Sequence, residues 1–183
     1  MQPVLQDIQS VLIPEAEILR RTRELGAQIS KDYVGKDLVV IGILKGASLF
    51  TSDLFRSITI PAELDFMRIS SYGASTKSTG VHRVLLDLDY TLDGRHVLIV
   101  EDIVDTGLTI KFLLEYLGQR GPASLKTATM LDKPSRRKVD VPIHYRGFEV
   151  PDEFVCGCGL DYAEKYRNLR DIVILKPEVY SGK

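Results

Sequence analysis

The run Val97-Leu98-Ile99-Val100-Glu101-Asp102 constrains the chain more than any other segment. Four apolar residues stop at two adjacent carboxylates. A continuous apolar run reads as a strand buried on both faces of a parallel sheet. An open α/β sheet takes its ligand just beyond the carboxyl ends of such strands. Asp105-Thr106-Gly107-Leu108-Thr109 follows, a polar stretch with one glycine that opens a helical pattern from about Leu108 to Gln119. Backbone N–H groups, two hydroxyls and a helix N-terminus make an anion cradle there. Glu101 and Asp102 beside it could hold ribose hydroxyls or a magnesium ion. Like charges side by side at a strand end are unfavourable without such an offset. The segment therefore points to a sugar phosphate bound with a divalent metal.

The flanking sequence supplies the rest of an α/β layer structure. Pro14 to Tyr33 carries Ile18, Leu19, Leu25 and Ile29 at helical spacing. Asp37–Leu44 reads as a strand, Gly46–Ile58 as a helix, and Ala62–Ile69 as a strand. Further strands are expected near His82–Leu88, His96–Val100 and Leu125–Leu131. This alternation implies a mostly parallel sheet with helices on both faces. After Lys133 come the charged Arg136-Arg137-Lys138 and three short β-like runs, Ile143–Val150, Phe154–Cys158 and Ile172–Leu175. The chain, at 183 residues, fits a single domain. Its core would run from about 35 to 135. Residues 136–183, with the N-terminal ones, would form a small hood over the sheet's carboxyl edge. Eight of the eleven residues from Ser70 to Gly80 are Ser, Thr or Gly. Such a segment buries little, so it is either a plain loop or a lid carrying Tyr72 over the site.

Composition closes several routes. The formal net charge is −1, so no global basic field points to nucleic acid. No stretch reaches the roughly 18 apolar residues of a membrane span. Met1 to Glu17 carries no long apolar run, so no secretory signal is expected. Cys156 and Cys158 are too few for a zinc site and read as reduced thiols of a cytoplasmic protein. His82, His96 and His144 show no metal or triad spacing.

Competing motifs fail on context. Asp87-Leu88-Asp89-Tyr90-Thr91 resembles the Asp-x-Asp-x-Thr motif of haloacid-dehalogenase-type phosphatases. Those enzymes need a flap and a helix after the motif. Here only Asp93-Gly94-Arg95 precedes the next strand, which fits a tight turn and a β-hairpin with exposed acids. Neither a P-loop nor a G-x-G-x-x-G fingerprint occurs. Leu44-Lys45-Gly46 ends the first central strand, with a cation and a glycine that admits close backbone approach. Glu164-Lys165-Tyr166-Arg167 reads by itself as a solvated helix face.

Val97–Thr109 resembles the phosphoribosyl pyrophosphate signature of type I phosphoribosyltransferases, with every diagnostic position filled. Leu44-Lys45-Gly46, Ser71-Tyr72-Gly73, Lys133, Phe154-Val155 and Asp161-Tyr162 through Arg167 are similar in order and spacing to the hypoxanthine-guanine branch. The resemblance spans residues 8 to 176 and implies a type I phosphoribosyltransferase fold. It implies that Asp105, Thr106, Gly107, Leu108 and Thr109 wrap the 5′-phosphate, with Asp105 as catalytic base. Glu101 and Asp102 would hold the ribose hydroxyls, in part through Mg2+, and Asp161 would stand near the base and a second Mg2+. Lys45, Gly46 and Arg167 would bind pyrophosphate, across a Leu44–Lys45 bond that can be cis in this family. Lys133 would donate to the 6-oxo group, Phe154 would stack on the purine, and the Val155 backbone would read its exocyclic edge. Ser71 and Tyr72 would lead the lid. A lysine has donors only, so it suits an oxo group and not an amino group. Arg167 offers a fork for phosphate oxygens.

The implied partners are phosphoribosyl pyrophosphate, hypoxanthine and guanine, with IMP and GMP as products. Neither nucleic acid nor membrane is among them. A homodimer or homotetramer is expected. Two alternatives stand beside this: transfer to another base, xanthine or a pyrimidine, and a nucleotide-sensing regulatory protein on the same fold.

Overall fold

A computed structural model of the chain describes residues 6–71 and 82–181. Its elements are β1 (Ile8–Ile13), α1 (Glu15–Asp32), β2 (Leu38–Leu44), α2 (Ser48–Ser57), β3 (Ala62–Ser71), β4 (His82–Leu86), β5 (His96–Val104), α3 (Leu108–Gly118), β6 (Ser124–Asp132), β7 (Tyr145–Glu149), β8 (Val155–Cys156), β9 (Ile172–Leu175) and α4 (Pro177–Tyr180). A six-stranded sheet runs β4-β3-β2-β5-β6-β7. All of its pairings are parallel except β3 with β4. A second, antiparallel sheet runs β1-β9-β8. The α/β class and the parallel core thus stand as expected.

Alternation along the central strands distributes their side chains to two cores. Leu38 and Val40 of β2, with Leu98 and Val100 of β5, pack against Ile18, Leu25 and Ile29 of α1 and Phe50 and Leu54 of α2. Val39, Ile41, Val97 and Ile99 pack on the other face against Ile110, Leu113 and Leu117 of α3. Each such side chain contributes roughly 1.5–3 kcal/mol on burial. The apolar runs read as central strands because both faces are covered.

Three expectations are corrected. Strand β5 does not end at Val100 but continues to Val104, so Glu101 and Asp102 lie inside it. Pairing explains this: Glu101 is in register with Thr129 and Val104 with Asp132 of β6, which extends the ladder past the apolar run. The tight turn before β5 is present, with Arg95 N donating to Leu92 O at 3.0 Å and Gly94 at φ +71. It does not close a hairpin, however, for β4 pairs with β3 while β5 lies between β2 and β6. A strand with exposed Leu85 and Leu86 belongs at a sheet edge, and a strand buried on both faces belongs at its centre. Strand β7, placed in the tail from sequence, is the outer strand of the central sheet. After Glu149 the chain returns to the second sheet, where β1 already lies.

Candidate active site

The carboxyl ends of β2 and β5 and the loop before β9 converge on one cleft of about 380 Å3. Lys45, Gly46, Glu101, Asp102, Thr109, Asp161 and Arg167 all line it, together with Ile43, Leu44 and Ile69. These seven positions come from three well-separated stretches of the sequence and were all singled out from it. The Leu44–Lys45 peptide is cis.

Glu101 is buried and Asp102 half-buried. Burial, with the neighbouring Asp102 charge, pushes the Glu101 carboxyl well above the usual carboxylate range. Burial pushes the Asp102 carboxyl up to about 6, although the Ile103 amide donates to it at 2.7 Å. Asp102 sits directly on the backbone of Gly46: a Cβ there would lie 1.6 Å from Oδ2. In turn, a Cβ on Gly159 would lie 2.0 Å from the Gly46 carbonyl oxygen. The two glycines let three chain segments close on one carboxylate.

The Asp105–Thr109 loop joins β5 to α3. Gly107 adopts φ +82, which glycine accepts without the steric cost of a Cβ. The Asp105 carboxylate accepts from the Thr106 amide. Outside the loop, the amides of Lys138 and Val139 donate to Thr106 O at 3.0 and 3.2 Å. The Arg137 side chain lies against Gly107 and is ion-paired with Asp132. Asp132, fully buried at the end of β6, also meets Arg146 at 2.9 Å. No role was assigned to Asp132, Arg137 or Gly159 from sequence. An aspartate closing an apolar strand, with arginines downstream, is a signal that could have flagged the first two.

Lys133, Phe154 and Val155 do not line the cleft but gather next to it. Lys133 follows β6, and its amide donates to Val104 O at 2.9 Å. Its Nζ donates to Glu153 O at 2.7 Å and stands 3.8 Å from Asp152. Burial pulls the Lys133 ammonium below its usual range, while the Asp152 and Asp105 charges oppose that. Phe154 is 39% exposed, stacks on Tyr180 at 4.9 Å and meets Tyr162 edge-on at 5.6 Å. Val155 is buried in β8. Of the two lid positions, Ser71 is the last residue of β3 and Tyr72 lies outside the described residues.

Residues 161–167 are not helical. Tyr162 and Lys165 close a tight turn with N–H to carbonyl distances of 3.2 and 3.0 Å. Its central residues, Ala163 and Glu164, adopt φ +49 and +64. That is the pattern of a type I′ turn, which favours Asn-Gly. A left-handed conformation costs a non-glycine residue about 1–2 kcal/mol. Asp161 holds the turn, accepting from the Glu164 amide at 2.8 Å. Its other oxygen meets Arg167 at 2.8 Å.

Among the described residues, no three His, Cys, Asp or Glu side chains gather into a protein-only metal cage. The carboxylates stand as separate oxygen donors, two of them with protonation favoured by burial. That donor set fits Mg2+, which keeps several waters and binds through one or two carboxylates plus substrate phosphates.

The phosphoribosyl transferase domain profile matches residues 13–163. A hypoxanthine-guanine phosphoribosyltransferase of Bacillus subtilis is 51% identical over 176 residues, 96% of this chain and 98% of the relative. The chain belongs to the hypoxanthine-guanine phosphoribosyltransferase family. A member of this family from Staphylococcus aureus is 50% identical over the same shares. A crystal structure of a hypoxanthine phosphoribosyltransferase from Staphylococcus aureus has a TM-score of 0.94 to this chain. It is 49% identical, with 98% of each chain covered. The type I phosphoribosyltransferase fold is therefore the family's own.

Proposed function

We propose that this protein transfers the 5-phosphoribosyl group of phosphoribosyl pyrophosphate to N9 of hypoxanthine or guanine, a purine salvage reaction giving IMP or GMP and pyrophosphate. One observation carries the reading. Lys45 and Arg167 share a cleft with the Glu101–Asp102 pair and with Thr109, where the anion-cradling loop opens α3. An anion with two ends and a hydroxylated middle fits that order of charges.

The purine N9 bonds to C1′ as the bond from C1′ to the pyrophosphate oxygen breaks, and N7 gives up a proton. The transition state is oxocarbenium-like, as in glycoside hydrolysis. The Asp105–Thr109 loop anchors the 5′-phosphate, and Glu101 and Asp102 orient the ribose hydroxyls. Lys45, Gly46 and Arg167 hold pyrophosphate as it leaves. Lys133, pointed by Glu153 O, donates to the 6-oxo group, which rejects adenine because its amino group is also a donor. Phe154 supplies the stacking face, the Val155 backbone reads the exocyclic edge, and Ser71 and Tyr72 lead a lid that keeps out water. Bound Mg2+, held through Glu101, Asp102 and Asp161, supplies charge neutralisation at the sugar and pyrophosphate. Asp105 takes the N7 proton, so Asp105→Asn is expected to lower kcat by about 10²–10⁴ with little change in base affinity. Full turnover in that variant would remove the assignment.

The same reading makes the chain a single-domain cytoplasmic enzyme working as a homodimer or homotetramer, which light scattering tests. The decisive experiment is a panel of purine and pyrimidine bases with phosphoribosyl pyrophosphate, run with and without Mg2+. Mg2+-dependent formation of IMP and GMP is expected. Incorporation of uracil and no purine would overturn the proposal.

A further inference from the structure

The two cations of the cleft share one internal partner. Glu164 Oε2 stands 2.9 Å from Lys45 Nζ and 3.4 Å from Arg167 Nη2. One carboxylate oxygen thus bridges the groups assigned above to pyrophosphate, as an oxygen of that anion would. The bridge is not a loose side chain that found a charge. Its backbone is fixed in the Tyr162–Lys165 turn, with the Glu164 amide bound to Asp161 and φ at +64. A left-handed residue in such a turn is ordinarily Gly or Asn. Packing does not account for a glutamate here, since its side chain is 64% exposed. Backbone strain kept without a packing gain is a mark of function. Arg167, by contrast, stays anchored without Glu164, through Asp161 at 2.8 Å and Gly159 O at 2.8 Å.

We propose that Glu164 is an internal competitor for the pyrophosphate subsite. Its carboxylate keeps Lys45 and Arg167 aimed into the cleft when no pyrophosphate is bound. It is displaced when phosphoribosyl pyrophosphate enters, and it returns as pyrophosphate leaves. This rests on the reading of the cleft given above. Two consequences follow from the geometry. A substrate must displace one exposed carboxylate from its two ion pairs, which weakens its binding modestly, because such pairs are individually weak. The product meets a tethered anion ready to replace it, which favours release.

The test is calorimetric titration of inorganic pyrophosphate, with Mg2+ present, into full-length Glu164→Gln, Glu164→Gly, Arg167→Ala and Glu63→Gln proteins. Glu63 pairs with Arg95 away from the cleft, so its variant makes the same change in net charge without touching the subsite. Glu164→Gln and Glu164→Gly are expected to bind pyrophosphate about two- to fivefold more tightly, the range that loss of one exposed carboxylate and its weak ion pairs allows. The KM for phosphoribosyl pyrophosphate is expected to fall in step, and Glu63→Gln to match the parent protein. Arg167→Ala is expected to bind more weakly. If Arg167→Ala binds pyrophosphate as the parent does, the assignment of the cleft fails. If Arg167→Ala weakens binding while both Glu164 variants are unchanged or weaker, the cleft stands and the competitor is refuted. Equal tightening in Glu63→Gln would reduce the effect to overall charge and also refute it.

Discussion

At the scale of single residues, the cleft depends on carboxylates held where water solvates them poorly. The Asp102 carboxyl titrates near 6 in the fold against 3.8 for the free side chain. Between those values the folded chain binds more protons than the unfolded one, so this group's contribution to stability rises as pH falls from 6 towards 4. Asp102→Asn, which buries no charge, is therefore expected to melt at a higher temperature than the parent at pH 7. The difference should shrink towards pH 4, as thermal unfolding across that range would record. A constant difference would contradict the assignment. With Asp102 in its proposed role, substrate binding runs the opposite way, because ribose hydroxyls and Mg2+ would favour the ionised carboxylate. The affinity for phosphoribosyl pyrophosphate should fall as pH drops through about 6. Gly46→Ala tests the same carboxylate sterically. Its Cβ would fall 1.6 Å from Asp102 Oδ2, so the aspartate or the Lys45 loop must move. A displacement near 1 Å at a reacting site costs on the order of 10²-fold in rate. A loss of that order in kcat/KM for phosphoribosyl pyrophosphate is expected, with the affinity for the base little changed.

At the scale of elements, the Asp105–Thr109 loop is braced from β6 and not by α3 alone. Asp132 ends β6, Arg137 returns over Gly107, and the next two amides grip Thr106. Removing one partner of a buried pair leaves a charge poorly compensated, at about 3–5 kcal/mol where no second partner remains. Arg146 still meets Asp132, so Arg137→Met is expected to cost less, roughly 1–3 kcal/mol in urea denaturation. The same variant should raise the KM for phosphoribosyl pyrophosphate more than that for hypoxanthine. An equal rise for both would mean a general loosening of the fold. The brace was only partly legible in the sequence. Arg136-Arg137-Lys138 stood out as charged, but its partner lay at the end of a different element. The helix face that residues 164–167 suggest by themselves does not form, for a related reason. Their charge pattern suits a helix face, and only the pairing of Tyr162 with Lys165 makes them a turn.

At the scale of the molecule, one sheet carries two cores, and the site lies along its carboxyl edge where both end. Leu98 is fully buried in the core packed against α1 and α2. Leu98→Ala is expected to cost about 2–5 kcal/mol, read from the urea midpoint. The KM values of the surviving native fraction should stay unchanged, since the side chain does not line the cleft. The second sheet, β1-β9-β8, brings residues near both ends of the described chain together, and the segment entering β8 reaches Lys133 through Glu153 O.

The class of fold, the parallel core and the acidic pair ahead of the Asp105–Thr109 loop were written in local sequence, while Lys133, Phe154, Asp161 and Arg167 were suspected through the family resemblance. Apolar runs, helical spacing and a glycine before a helix act over a few residues, so they can be read in order along the chain. Tertiary structure decided the rest. It made β4 an edge strand and not a hairpin partner, and it extended β5 past its acids by pairing them with β6. It also set Glu164 between Lys45 and Arg167. Each of these depends on which distant backbone lies within hydrogen-bond or ion-pair reach, a few ångströms of space that separations of up to 119 positions in the chain do not encode.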